Sequence, residues 1–355
     1  MSDKQNSAKN DSLIVLDQQA DDLMKERTEA QRLQYVPAVI AQLLAVLLMA
    51  FTLLENFFTA FSLFSQPASW TTLALRQVIY FGVIPLLVLV IVLLIYKPSP
   101  SLVSRHKEAP LSLASALLLG LVSAFAYYIL IEQLYRIGLI NQVSNYLPSS
   151  LTIFSPFLRI SAGRTLAALI FTVFLPTICL TPLLLGLFLT PLLGSERRLL
   201  SLSLTCLLGA LLPLDSTAFF AYLLLWTILS QIYLAGSGLI TAALACGGYM
   251  TTLLYAPTIF NLLSNRLIAW QSTSKLQGTL LVFALLLIVL ILGLPGVFHF
   301  NLLNREQRRH QLALSLQPHM LKHLEKTKHR SVLSWLLIII AVILLLAVLL
   351  AEHLI

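Results

Sequence analysis

After a polar stretch of 34 residues, the chain becomes a succession of apolar runs separated by short polar connections. The hydrocarbon core of a bilayer, about 30 Å thick, takes a helix of roughly 20 apolar residues. Runs of that order predict nine membrane helices, at residues 36–54, 77–96, 111–131, 165–190, 199–214, 217–235, 239–257, 278–298 and 331–351, the fifth of them short. The predicted fold class is all-α, a polytopic membrane helical bundle. Its organisation reads as a cytoplasmic polar tail over 1–34, a helical core over 35–298, a basic cytoplasmic segment over 299–330 and a last span within 331–355. No tandem repeat or low-complexity linker interrupts it, and the charged tail is the one extension of disordered or partner-binding character.

Composition agrees with a membrane solvent. The 355 residues are 58% hydrophobic and only 11% charged, where soluble domains carry about 25% charge. The net charge of +8 does not point to nucleic acid, because the basic residues sit in the connections, where the positive-inside rule accounts for them. Lys97, Arg105, Lys107, Arg197 and Arg198, with the tail and the 299–330 segment, mark one side. The other holds Arg76, Arg136, Arg159, Arg164, Arg266 and Lys275. This asymmetry predicts a cytoplasmic N-terminus and an external C-terminus, and the polar start reads as no signal peptide. The expected location is the bacterial cytoplasmic membrane.

The polar features outside the runs are few. Phe57, Phe58, Phe61, Phe64 and Trp70 suit an outer aromatic belt with Glu55 at its edge. Glu132 and Arg136 stand four apart, the spacing of an ion pair on one helix face, so the third span is expected to continue to the interface. His310, His319, His323 and His329 lie among the basic residues of 299–330. His319 and His323 have metal-ligand spacing but no third ligand, and the segment reads as a juxtamembrane helix attracted to anionic lipid.

Motifs for familiar chemistry are missing. No HExxH occurs, Asp215 has no second aspartate to form a dyad, and the AGSG at 235–238 has no histidine within a span to serve as base for its serine. No cofactor or metal is expected.

One stretch departs from an ordinary anchor. PTICLTPLLLGLF at 176–188 carries two prolines inside an apolar run, and each proline removes a backbone donor and clashes with the preceding turn. A helix that opens onto a cavity tolerates them. The stretch resembles PAICEELLFRGLF of the CPBP family, the Abi or CAAX-processing-like intramembrane proteases, with Pro176, Ile178, Cys179, Gly186 and Phe188 in register. LLGALLPLD at 207–215 is similar to that family's FxxxH span. IYLAGSGLITAALACGGYM at 232–250 is similar to its YLxTGS turn and the helix that follows. The resemblance covers 165–264.

What the resemblance implies is a degenerate member. The glutamate pair becomes Leu180 and Thr181, the arginine Leu185, and the histidine positions Pro213 and Ala245 or Cys246. None of the replacing residues apart from Cys246 titrates, and general acid–base catalysis needs a group that does. The leading expectation is an inactive relative that binds a membrane peptide or partner membrane protein in the bilayer without cutting it. The alternatives are a permease-like transport subunit and an enzyme with a rebuilt site. Candidates for lining a cavity are Cys179, Thr181, Cys206, Gln231, Cys246 and Tyr249, with Ser203 as polar support. Cys206 and Cys246 are expected at one depth, about 10 Å from the inner ends of their helices, and near each other.

Overall fold

The computed structural model describes residues 35–60, 75–96, 110–148, 162–193, 198–235, 238–268, 284–289, 291–303 and 335–349. Among them there is no strand. The helices are α1 (Val36–Ala60), α2 (Leu75–Tyr96), α3 (Pro110–Arg136), α4 (162–193), α5 (Arg198–Leu211), α6 (Phe219–Leu234), α7 (Leu239–Ile268), α8 (Ala284–Leu303) and α9 (Trp335–Leu349). Six of these, α1 to α4 with α7 and α8, are long and apolar enough to cross a membrane. The chain is therefore a multi-pass helical protein. The helices α5, α6 and α9, where the fifth, sixth and ninth spans were expected, fall short of that length. Most of the aromatic belt and the histidines of 304–330 lie outside the described residues.

Two expected boundaries move for physical reasons. Helix α3 continues to Arg136, whose Nε lies 3.2 Å from Glu132 Oε1, so the interfacial continuation and its ion pair are present. Helix α7 does not stop at 257 but passes through Pro257 to Ile268. Arg136 sits over the Phe260 ring at 5.5 Å and Tyr128 meets the same ring edge-on, which gives the added turns of α7 a neighbour to pack against.

Three prolines share a device. Wide π turns occupy Ile79–Val83, Ile170–Phe174 and Pro182–Leu189, and each ends two residues before a proline, respectively Pro85, Pro176 and Pro191. In the first two the bond closing the turn spans five residues, from the amide of Ile84 to the Ile79 carbonyl and from that of Leu175 to the Ile170 carbonyl. A proline cannot donate to the carbonyl four residues back and its ring collides there; a widened turn removes that requirement and the helix continues. Before Pro191, the Thr190 hydroxyl supplies a donor instead, 3.0 Å from the Leu185 carbonyl.

Packing centres on α3 and α7, the most extensive helix pair. They run parallel, because Gly120 meets Ala245 near their first halves and Tyr128 and Arg136 meet Phe260 near their ends. A Cβ at Gly120 would run into the Ala245 carbonyl, and one at Gly248 would lie 3.2 Å from the Leu117 carbonyl, so small residues bring the two backbones into contact. Helix α8 crosses the other side of α3 in the opposite sense. Gly293 faces Val122, Gly296 faces Ser115, and His299 Nε2 lies 3.1 Å from Ser112 Oγ.

The remaining elements dock on this pair. Helices α5 and α6 form an antiparallel hairpin in which the Trp226 indole covers Gly209. Its turn contains Leu214 at φ 46°, and Thr217 Oγ1 stands 3.0 Å from the Leu147 carbonyl, tying the turn to the loop after α3. At one end of α1 and α2, Arg76 Nε lies 3.5 Å from Glu55 Oε1 and the Arg76 guanidinium sits 5.4 Å from the Tyr80 ring centre. Near the other end of α1, Gln42 Nε2 donates to the Leu337 carbonyl at 2.7 Å, which brings the start of α9 beside the start of α1.

Candidate functional site

The first and third blocks of the family-like region, on α4 and α7, pack against each other. Thr177 and Thr181 are four residues apart on the α-helical piece Leu175–Thr181, so they share one face. That face meets α7 at Cys246, whose thiol interacts with both hydroxyls. Thr177 Oγ1 already donates to the Val173 carbonyl at 2.6 Å, satisfying its proton within the helix. Thr181 is 1% exposed, and beyond the contact with the Cys246 thiol its Oγ1 has no hydrogen-bond partner among the described residues.

Tyrosines close the same region from two sides. Tyr249, 1% exposed and one turn along α7 from Cys246, donates its hydroxyl to the Ala221 carbonyl of α6 at 2.9 Å. Tyr222 of α6 and Tyr127 of α3 lie near Tyr249, and Tyr222 also near Cys246. Tyr127 is anchored by its hydroxyl on the Tyr146 carbonyl at 2.8 Å, and Tyr222 by stacking on Phe81 of α2 with centroids 5.9 Å apart. The cluster thus takes residues from α3, α4, α6 and α7 and is braced by α2.

The seam has an inside and an outside. Cys246 and Thr181 are buried, whereas Thr177 and Gly247 are half-buried at its edge. A Cβ at Gly247 would have only loose neighbours, Thr177 Oγ1 and Val173 Cγ1, both at 4.0 Å. The edge of the seam therefore has room for a side chain or a neighbouring helix backbone.

Of the residues singled out from sequence, Thr181, Cys246 and Tyr249 come together here. Cys179 is buried on α4 but is two residues from both threonines, which turns it to the other side of the helix. Cys206 belongs elsewhere: its thiol lies 3.9 Å from Ser230 Oγ and also interacts with Thr227, both on α6. Gln231 is exposed on the outer face of α6. At the positions aligned with the family's catalytic residues, Leu180 and Leu185 are packed core and Ala245 lends its carbonyl to the contact with Gly120. Pro213 lies half-buried in the α5–α6 turn. Sequence reasoning missed Thr177, Tyr127 and Tyr222; the four-residue spacing of Thr177 and Thr181 was the available signal.

Chemically, this is a set of hydroxyls, phenols and one thiol. It offers hydrogen bonds in a dry setting; a carboxylate, Asp215, lies near Tyr222 at the α5–α6 turn, where it accepts from the Thr217 amide and hydroxyl, and among the described residues no imidazole joins the cluster. Among the described residues no three His, Cys, Asp or Glu side chains gather as a metal site would require. The chain matches no protein-family model, no curated protein and no solved structure.

Proposed function

We propose that this protein is a non-cleaving relative of the CPBP intramembrane proteases, set in the bacterial cytoplasmic membrane with nine spans and a cytoplasmic N-terminus. It holds a membrane segment of a partner protein at the α4–α7 seam. The observation that carries this reading is the Thr181 hydroxyl, buried with only the weak contact of the Cys246 thiol and no oxygen or nitrogen partner among the described residues. An unpaired buried hydroxyl costs about 1–3 kcal/mol relative to a bonded one, so its presence makes sense where something else supplies the bond. The half-buried Thr177 and Gly247 give an approaching helix a place of close contact in front of it. The leucines at the family's acidic and arginine positions support the absence of cleavage.

The test pairs binding with proteolysis. A photo-crosslinking side chain at Thr177 in native membranes is expected to capture a membrane-spanning partner, and Thr181→Val to weaken that capture while the protein still folds. Purified protein in liposomes is expected to leave single-pass peptides intact, with or without zinc. Cleavage abolished by Cys246→Ser would replace this reading with an enzyme of rebuilt site. Capture of an ATPase alone would replace it with a transport subunit.

A further inference from the structure

Hydroxyls within the helices of this protein turn back on their own backbone. Thr52, Ser123, Thr172, Thr177, Thr205 and Thr227 each donate to the carbonyl four residues earlier, at 2.6–2.9 Å. Ser112 does not. It is the third residue of α3, so the carbonyl four residues back lies outside the helix. Its hydroxyl instead meets the imidazole of His299 on α8, with Oγ 3.1 Å from Nε2.

A serine whose proton can pass to a histidine is the arrangement that activates a hydroxyl for attack on an acyl carbon. The separation lies within the reach of about 2.6–3.2 Å over which a base takes such a proton. With the imidazole proton on Nδ1, Nε2 accepts and the serine donates. Ser112 is 7% exposed and His299 half-buried, so the pair is sheltered yet not sealed.

The surroundings suit an acyl ester. The amides of Leu111 and Ser112 stand in the first turn of α3, where no carbonyl of the helix accepts from them, and such donors stabilise the oxyanion that forms when Oγ adds to a carbonyl. The residues flanking the pair along α3 and α8 are apolar and exposed, Leu111 at 65%, Phe298 at 64% and Leu302 at 60%, a surface for a long hydrocarbon chain. Among the described residues no carboxylate holds the imidazole as a triad would, so the leaving group must be an easy one, an alcohol rather than an amine.

We propose that Ser112 and His299 form a second site, a nucleophile and its base, that hydrolyses carboxylic esters of long-chain acyl groups. Ser112 Oγ bonds to the ester carbon while its proton passes to His299 Nε2. The bond from that carbon to the alcohol oxygen then breaks, and His299 returns the proton to the departing alcohol. Water attacks the acyl-serine in turn, giving one proton to His299 and releasing the free acid as Ser112 recovers its proton. This site lies where α8 crosses α3, apart from the α4–α7 seam, involves no peptide bond and does not depend on the proposed partner binding.

The test uses the full purified chain in mild detergent and a decyl fluorophosphonate, which phosphonylates serines that a base activates. Label is expected on Ser112, located by mass spectrometry, and is lost in Ser112→Ala. Ser123→Ala, which removes a hydroxyl engaged by the Leu119 carbonyl, keeps it. Hydrolysis of 4-nitrophenyl decanoate, followed by the released nitrophenolate, is expected to fall about a hundredfold or more in His299→Gln, the scale of general-base assistance. Glutamine still bonds the Ser112 hydroxyl but takes no proton from it, so an unchanged unfolding midpoint in this variant separates loss of the base from loss of fold. A folded wild type with no label on Ser112, turnover that persists in Ser112→Ala, or equal rates in wild type and His299→Gln would each overturn the inference.

Discussion

The α-carbon of Gly120 faces the carbonyl oxygen of Ala245 so closely that no side chain fits between them. Two parallel helices touch backbone to backbone at this point, and any added carbon pushes them apart. Gly120→Val is therefore expected to destabilise the protein by at least the ~1–3 kcal/mol of ordinary overpacking, read as a lowered unfolding midpoint in detergent. Gly186→Ala is expected to be far milder, because its new carbon would meet only the flexible tip of Leu239 at 3.4 Å.

Thr181→Val removes a buried hydroxyl whose one contact among the described residues is the weak one with the Cys246 thiol. The shape is kept and the desolvation cost disappears, so the purified protein is expected to gain ~1 kcal/mol in stability. A loss of stability would mean that the hydroxyl has a bonding role inside the fold. Thermal unfolding of the two forms, purified side by side, distinguishes the cases.

Proximity in the seam is open to direct test. A thiol placed at Thr177 would stand beside Cys246, because the native hydroxyl already interacts with that thiol. Thr177→Cys is expected to form an internal disulfide with Cys246 under oxidation, blocking thiol alkylation at both positions. Cys206 is the comparison residue: its partners are Ser230 and Thr227, not the seam, so its alkylation in the denatured protein is expected to be unchanged.

The contact from Gln42 to the Leu337 carbonyl bears on topology. It brings the beginnings of α1 and α9 together, so both helices leave from the same side if both cross. A periplasmic reporter fused after Ile355 is then expected to be active and a cytoplasmic one silent. The opposite result would remove one crossing from the proposed nine.

The helices were largely legible because membrane spans are announced by local hydropathy alone, and α1 to α4 begin within a few residues of their expected starts. Their faces were not. Helix α6 is apolar almost all round, so its periodicity carries no phase, and Gln231 could be assigned to a cavity although it points outward. Cys206 failed similarly: depth along a helix says nothing about azimuth, and its thiol turns to α6 while that of Cys246 turns to α4. Pro176 was visible as an anomaly, but the wide turn that accommodates it depends on backbone bonds rather than residue type. Gly120 carried no signal, since its reason lies on a helix 125 residues away.

If the α5–α6 hairpin crosses the bilayer, its shortness also acts on the lipid. Acyl chains beside a 14-residue and a 16-residue helix must compress or tilt to meet its ends, and that distortion has a cost for every ångström of mismatch. The protein would then carry a rim of thinned bilayer along this flank. The protein is then expected to unfold at a lower temperature in liposomes as the acyl chains of the host bilayer are lengthened.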